Sequence, residues 1–412
     1  MSEYLGRLDP RLGLVEGEKR TAPVLVTSVQ EQENALLLDR LFDDIVPTLE
    51  EAFPDDCREI YALAVLRALA PTPLHLASDR WDKILDVREL KPRLDRAGQS
   101  ALFRRLSLQG EELVYDLSCF FSRSDEVMMA EKGHNRCHVH LPQINLALLC
   151  SAEHGLPTMV RALPGVRDVA TICASLEEVG LEGKVLIMDR GFWGEEVLQL
   201  LEHRHLSYVI PTRRNSALYD RVIMSEDEFL YHDRLIHHGK ASDGGRWLYR
   251  FEDDQMRVDE ERNLAKMVQD GKLSKEKKTE KKVRMGHILI VSDLDRPPEA
   301  VYLLYKRRDK VERQFEVWKT TLQADRTWLR DDASMFGHVF VPFLSLYILA
   351  RLEQSLRTAG LLSKYSSRHI LNEFSKAYLI KSGDQVLEYE IPKKVRGLDR
   401  ELGFDLFPKL RS

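Results

Sequence analysis

The segment between residues 111 and 214 constrains the fold most, because apolar runs alternate there with turn signals. The runs are EELVYDLSCFFS (111–122), NLALLCSAEHGLPTMVRAL (145–163), GKVLIMDRGFW (183–193) and HLSYVIPTRR (205–214). The second is interrupted by a turn at EHG, and the helical sequence GEEVLQLLEHR separates the last two. The order strand, strand, strand, helix, strand predicts a mixed α/β domain.

The flanking segments have other patterns. ENALLLDRLFDDIVPTLEEAF and CREIYALAVLRALA, before residue 105, have helical spacing, and the acidic face of the first favours packing over phosphate binding. Residues 213–285 are polar and irregular, with a hairpin expected at ASDGGRWLYRF, so they are predicted to be an insertion. Their lysine-rich run, GKLSKEKKTEKKVRMG, suits either a solvated loop or phosphate contact. The strand HILIVSD follows, and then one long helix that begins at LDRPPEAVYLLYK.

Composition excludes several classes of protein. A net charge of −5 argues against a generally basic nucleic-acid coat, although 61 Lys and Arg residues leave room for a local basic groove. The start of the chain has no apolar signal-peptide core, and VFVPFLSLYILA is too short to span a membrane, so it is predicted to be a buried helix. Five cysteines without CxxC spacing imply no disulfide framework and favour a reducing cytoplasm.

Two apolar strands are each predicted to end in an aspartate, Asp116 after LVY and Asp189 after VLIM. Each could simply cap the turn that follows it. Two such carboxylates with a glutamate on a helix are also what a two-metal site needs, because Mg²⁺ prefers hard oxygen ligands. Both interpretations remain open from the strands alone.

The helix sequence YKRRDKVERQFEVWK, residues 305–319, supplies the glutamate. Steps of three, four and seven residues place Tyr305, Arg308, Glu312 and Lys319 on one side of an α-helix. Arg308 and Glu312 are neighbours across one turn. Other charges in the segment offer other alignments, so spacing alone suggests a site without proving it.

These residues resemble a known family. Tyr305-x2-Arg308-x3-Glu312-x6-Lys319 fits the Y-(2)-R-(3)-E-(6)-K signature of DDE transposases of the "insertion sequence four" family at every fixed position. LVYDLSCFF and VLIMDRGFW resemble the family segments that carry the two catalytic aspartates, and GHVFVPFLSLYILARLEQ resembles the helix after the third acid. The resemblance covers about residues 105–360.

The resemblance implies a ribonuclease-H-like mixed sheet with flanking helices, interrupted by a mainly β insertion. The expected parts are a helical N-terminal region that binds transposon ends (1–105), the first part of the catalytic core (106–212), the insertion (213–285), the second part of the core with the Glu-bearing helix (286–360) and a C-terminal extension (361–412).

The resemblance also implies the chemistry. Asp116, Asp189 and Glu312 would bind two Mg²⁺ ions, with Mn²⁺ as a substitute, and Tyr305, Arg308 and Lys319 would contact DNA phosphates. Family members cut double-stranded DNA at terminal inverted repeats, often through a hairpin, and join the 3′-OH to target DNA. A homodimer bridging two ends, at the nucleoid in the cytoplasm and away from membranes, is expected.

Three further features have two interpretations each. Trp247 is a candidate for stacking on a flipped base, as in some family members, or is a core residue. Arg190 and Phe192 of DRGF either approach DNA or support their loop. HNRCHVH, with His134, Cys137, His138 and His140, is either a zinc site, although it lacks a second ligand pair at zinc-site spacing, or a polar hairpin like the one that the resemblance places there.

Two other functions remain open. A different ribonuclease-H-like nuclease would share the three acids without needing the Tyr, Arg and Lys companions. A non-catalytic DNA-binding protein derived from a transposase should have lost at least one of the acids, and all three are present.

Overall fold

The structure is a computed structural model that describes residues 7–9, 13–15, 28–30, 33–72, 92–122, 124, 126–132, 141–165, 175–271, 284–325, 329, 331–382 and 385–407. Its strands are β1 (Arg7–Asp9), β2 (Gly13–Val15), β3 (Ser28–Gln30), β4 (Glu112–Phe121), β5 (Gln143–Ser151), β6 (Pro157–Leu163), β7 (Val185–Met188), β8 (Ser207–Pro211), β9 (Glu228–Tyr231), β10 (Arg234–Asp243), β11 (Arg246–Asp253), β12 (His287–Ser292), β13 (Tyr378–Ser382) and β14 (Gln385–Glu390). Its helices are α1 (Glu33–Phe42), α2 (Val46–Ala52), α3 (Cys57–Leu69), α4 (Arg96–Ser107), α5 (Glu195–His203), α6 (Asp254–Gln269), α7 (Pro298–Lys306), α8 (Asp309–Glu316), α9 (Asp332–Thr358), α10 (Ser367–Phe374) and α11 (Lys393–Leu402).

The chain divides into two compact units. The smaller comprises residues 1–41 and 355–412. In it β3, β13 and β14 form an antiparallel sheet, and β1 pairs with β2. The larger unit, residues 42–354, contains a nine-stranded sheet and all of the predicted site residues.

Five strands form the central part of the large sheet, in the order β6-β5-β4-β7-β8. β4, β5 and β6 are antiparallel to one another, whereas β7 and β8 run parallel to β4. Every residue of β5, β6 and β7 is buried, which is typical of strands covered on both faces. This order and these directions are those of a ribonuclease-H-like fold, so the predicted mixed α/β fold is confirmed.

The sheet continues beyond β8 through β12, β11, β10 and β9, each antiparallel to its neighbour. The predicted hairpin is confirmed as β10 and β11, joined at Gly244 and Gly245, whose φ angles of 61° and 88° favour glycine. The strand HILIVSD is confirmed as β12. These strands extend the central sheet rather than forming one of their own. Residues 272–283, most of the lysine-rich run, lie outside the described residues.

Helix α6 was not predicted, because residues 254–269 are polar enough to suggest irregular structure. The Asp253 side chain caps the helix by accepting a hydrogen bond from the backbone N–H of Met256 at 2.9 Å. Arg257 pairs with an acid one turn earlier at 2.8 Å. Leu264 is the buried residue of the helix, so its apolar stripe is too weak for a pattern to detect.

The predicted helix over residues 33–53 is two helices, α1 and α2, separated by a turn. Pro47 lies at the start of α2. Because proline has no backbone N–H and its ring crowds the preceding turn, it suits a helix start and not an interior.

Helix α9 carries the apolar run that was predicted to be a buried helix. An 18-residue window within Ser334–Thr358 has a mean hydropathy of 1.6, enough by length and composition to cross a membrane, and 83% of that window is buried in the protein. Phe340 and Phe343 pack on Phe103 of α4, with ring centroids 5.9 and 5.0 Å apart. The burial is typical of a core helix.

A buried ion pair joins β6 to the helices on one face of the sheet. Arg161, with a side chain 1% exposed, donates to Glu178 from Nε at 2.6 Å and from Nη2 at 2.8 Å. Arg96 and Ser100 of α4 donate to the same carboxylate. Burial alone would raise the pKa of Glu178, but these hydrogen bonds and the charge of Arg161 lower the pKa to about 2.

We expect this carboxylate to stabilise the fold at neutral pH and to lose its contribution in acid. Because the folded pKa lies below the unfolded value of about 4.3, the stability is complete above that value and is lost as pH falls toward about 2. The loss should be about 2–3 kcal/mol, measured by urea unfolding at each pH. Glu178→Gln should flatten this part of the profile, and Glu177→Gln should not. If the stability of Glu178→Gln depended on pH as that of the wild type does, Glu178 would not be the group responsible.

Candidate active site

Asp116 and Asp189 lie side by side where β4 and β7 stop pairing. The last pair between the two strands is Tyr115 with Met188, so each aspartate is the next residue after this pairing ends. Neighbouring strands are about 4.8 Å apart, which keeps the two carboxylates close. β4 itself continues to Phe121, so the prediction that a strand ends at Asp116 is wrong. Only the pairing with β7 ends there.

The two aspartates have different surroundings. Asp116 is 5% exposed, and its Oδ1 accepts a hydrogen bond from the backbone N–H of Leu117 at 2.8 Å. Asp189 is half-buried, and its side chain makes no capping hydrogen bond to the 3₁₀ turn that follows it. That turn rests on Phe192, which is buried with its ring 5.4 Å from the ring of Tyr115. Phe192 therefore supports the loop.

The predicted single long helix is three pieces: α7, α8 and a π-helical turn at Val317–Thr321. Between α7 and α8, the backbone N–H groups of Arg307 and Arg308 donate to carbonyls three residues earlier, at 3.1 Å each. These i to i−3 hydrogen bonds are tighter than those of an α-helix, and the π turn around the fully buried Trp318 is wider. The number of residues per turn therefore differs on either side of α8. The prediction that Tyr305 and Lys319 lie on one side of a single straight helix with Glu312 therefore does not hold at the two ends of this segment.

Within this segment, the predicted cluster around Glu312 still forms. Val311 and Phe315 bury one side of α8, which packs on β4 and β5, while the Glu312 side chain is 43% exposed. Arg308 binds Glu312 Oε1 from Nη2 at 3.0 Å and Asp189 Oδ1 from Nη1 at 3.0 Å. Its guanidinium lies 5.7 Å from the centre of the Tyr305 ring. One arginine thus joins the second and third predicted acids.

The electrostatics of this cluster favour a charged Arg308. Burial opposes the charge, but Tyr305 and the carboxylates of Asp189, Glu312 and Asp116 together raise the pKa of Arg308. Burial also raises the pKa of Tyr305, so its ring is neutral at physiological pH. Arg308 therefore remains a cation between two acids.

All three acids line one open groove of about 1190 Å³ in the larger unit. The cations that line it are Arg190, Arg213, Arg214 and Lys319. Arg190 and Arg213 are exposed, and Arg214 pairs with Glu260. Sequence analysis missed Arg213 and Arg214. They follow β8, the parallel neighbour of β7, so the PTRR sequence at the same edge as Asp189 was a usable signal.

Comparisons with known proteins show the family of the chain. The family described as "Transposase DDE domain" matches residues 120–348, more than half of the chain. The chain belongs to this family. No curated protein matches the chain significantly. Among solved structures, a cryo-EM structure of the piggyBac transposase synaptic complex with hairpin DNA is similar, with 12% identity, a TM-score of 0.45, and coverage of 92% of this chain and 86% of that chain. The family is one of enzymes that cut and transfer DNA.

Trp247 of the transposase lies outside the lining of the groove. Trp247 is half-buried on β11 and is not among the residues that line the groove. The Lys240 ammonium lies 4.2 Å from the centre of its ring. One side of the ring is therefore in contact with a lysine.

DDE transposases generally use divalent metals, and the donor set here suits one. Among the described residues, no three His, Cys, Asp or Glu side chains are grouped closely enough to hold a metal ion, and Arg308 binds both Asp189 and Glu312. However, Asp116, Asp189 and Glu312 line the same groove and offer only hard oxygen atoms. The zinc candidate at His134–His140 lies outside the described residues.

Proposed function

We propose that the protein is a transposase of the insertion sequence four family that cuts DNA at terminal inverted repeats and joins the ends to target DNA. The observation that supports this most is the convergence of three acids and a set of cations on one groove. A groove of this kind brings a phosphodiester to carboxylates that would otherwise repel it. A ribonuclease-H-like nuclease of another kind would not need the Tyr305, Arg308 and Lys319 companions.

The proposed chemistry is phosphoryl transfer. Asp116, Asp189 and Glu312 would hold two Mg²⁺ ions, and such ions would supply activation of an attacking water or 3′-OH and stabilisation of the leaving oxygen. Asp116 is fixed by a central strand and Asp189 by its neighbour, whereas Glu312 reaches the groove from a helix. Two ligands are therefore rigid and the third is more exposed.

The cations of the groove would bind the DNA backbone. Arg190 and Arg213 are exposed and Lys319 is half-buried, so each is accessible to a phosphate oxygen. Arg308 would add a bidentate contact, supported by the Tyr305 ring beneath it. The proposal also includes a homodimer that bridges two ends, base stacking by Trp247, end binding by residues 1–105, and action at the nucleoid in the cytoplasm.

A strand-transfer assay tests this function. The full chain is mixed with Mg²⁺, a pre-cut, labelled inverted-repeat end that carries a free 3′-OH, and a supercoiled plasmid. We expect labelled plasmid, and none when the 3′-OH is replaced by a 3′-deoxy end. Cutting of the plasmid without transfer of the label would favour the nuclease alternative.

Lys319→Ala should weaken binding to inverted-repeat DNA and flatten its salt dependence. Removing one phosphate contact lowers the slope of log K against log [salt] by about 1. Fluorescence anisotropy at several salt concentrations measures this slope. Lys184 is the control, because it directly precedes β7, at the opposite end from Asp189, where it donates to the Leu108 carbonyl at 3.2 Å. Equal slopes for Lys319→Ala and Lys184→Ala would remove Lys319 from the phosphate contacts.

A further inference from the structure

Arg308 lies behind the groove lining, bound to two of the acids that line the groove. It binds one oxygen each of Asp189 and Glu312 at 3.0 Å, and only 16% of its side chain is exposed. These are two of the three carboxylates that would hold metal. A guanidinium cannot be a metal ligand, because it has donors and no lone pair to offer. In this arrangement it competes with a metal ion for the same oxygens.

Electrostatics strengthens the competition. A divalent cation at Asp189 and Glu312 would lie within a few ångströms of the fixed positive charge of Arg308, and like charges at that distance repel strongly in a partly buried site. The site therefore takes one of two occupants, the arginine or the metal. A phosphate is the natural alternative partner for the arginine, since guanidinium binds phosphate through paired hydrogen bonds.

We propose that Arg308 is a latch that keeps divalent metal away from Asp189 and Glu312 until a DNA phosphate binds its guanidinium. The latch rests on the proposed function. DNA binding withdraws Arg308 from the two carboxylates, and the metal then binds them. Because coupling between two ligands is reciprocal, metal also tightens DNA binding. The device restricts the metal-loaded, DNA-cutting state to protein that already holds DNA.

Mn²⁺ binding, measured by the electron paramagnetic resonance signal of the free ion, tests the latch without measuring activity. In the absence of DNA, Arg308→Gln should bind Mn²⁺ at least about tenfold more tightly than wild type, within the usual range of coupling between sites. Arg308→Lys keeps the positive charge but loses the paired N–H donors of the guanidinium. Its Mn²⁺ affinity should therefore lie between those of the wild type and Arg308→Gln. For the wild type, inverted-repeat DNA should tighten Mn²⁺ binding, and for Arg308→Gln this effect should largely disappear.

Arg313→Gln is the matched control. Arg313 lies on α8, which begins directly after Arg308, but it binds Glu353 at 2.8 Å and neither Asp189 nor Glu312. It should leave Mn²⁺ affinity unchanged, and urea unfolding shows that each variant is folded.

The possible results distinguish failure of the latch from failure of the proposed metal site. If Arg308→Gln binds Mn²⁺ as the wild type does, or more weakly, while Asp189→Asn loses the ion, the metal site stands and the latch is wrong. If no variant binds Mn²⁺ with or without DNA, both the metal site and the latch are wrong.

Discussion

Asp189→Asn is expected to reduce cutting at inverted-repeat ends by about a thousandfold or more. The change keeps the size of the side chain and removes the negative charge that a divalent cation needs. Metal assistance is worth several kcal/mol in such reactions, and each 1.36 kcal/mol is a factor of ten in rate. Single-turnover cleavage of a labelled repeat end measures the change.

Binding to the same DNA should survive this substitution. Loss of a carboxylate from the groove removes repulsion toward phosphate, so affinity should stay equal or rise. Glu316→Gln is the matched control, because Glu316 also lines the groove and has no proposed role in metal binding. If Asp189→Asn cut as fast as Glu316→Gln, the assignment of the second acid would be wrong.

Arg67→Met is expected to destabilise the larger unit by about 3 kcal/mol or more. Arg67 on α3 is fully buried and donates to the carbonyls of Thr72, Leu322 and Gln323 at 2.9, 3.1 and 3.3 Å. Methionine would fill much of the space but leave these acceptors unpaired, at about 1–3 kcal/mol for each buried group. Urea unfolding measures the loss.

The same substitution should also disturb the side of the groove that Lys319 lines. Leu322 and Gln323 directly follow the π turn that carries Lys319, so loosening them moves one of the proposed phosphate contacts. Burial lowers the pKa of Arg67 only to about 10, so it is charged at neutral pH. Arg58→Met is the control on the same helix, where the side chain is exposed and the expected change is within about 0.5 kcal/mol. Equal free energies of unfolding for the two variants would show that the hydrogen bonds of Arg67 do not stabilise the larger unit.

The central strands and the three acids could be predicted from sequence because their signals are local. Apolar runs bounded by turns mark β4 to β8. Asp116 lies within one of these runs, Asp189 directly follows another, and Glu312 lies at helical spacing from Arg308. Arg308 and Glu312 stay together because they are only one turn apart, although the helix breaks before Arg308.

The remainder depends on contacts that no local pattern contains. Arg67 contacts Leu322 across 255 positions of sequence, and nothing near either residue indicates the pairing. The π turn at Val317–Thr321 accompanies the burial of Trp318, a tertiary event. Arg213 comes to the groove because β8 lies next to β7, which requires the strand order. The sequence therefore predicts that the three acids lie together, but not most of the residues that surround them.

The central claim is that Glu312 is a metal ligand in DNA cutting, and Glu312→Cys tests it most directly. A thiolate is a poor ligand for Mg²⁺ and is better accepted by softer ions such as Mn²⁺. Glu312 is exposed, so the substitution leaves the core intact. The measurement is the rate of end cutting by Glu312→Cys in Mg²⁺ and in Mn²⁺, relative to wild type. We expect loss of cutting in Mg²⁺ and substantial recovery in Mn²⁺. The same relative rate in both metals would show that Glu312 is not a metal ligand.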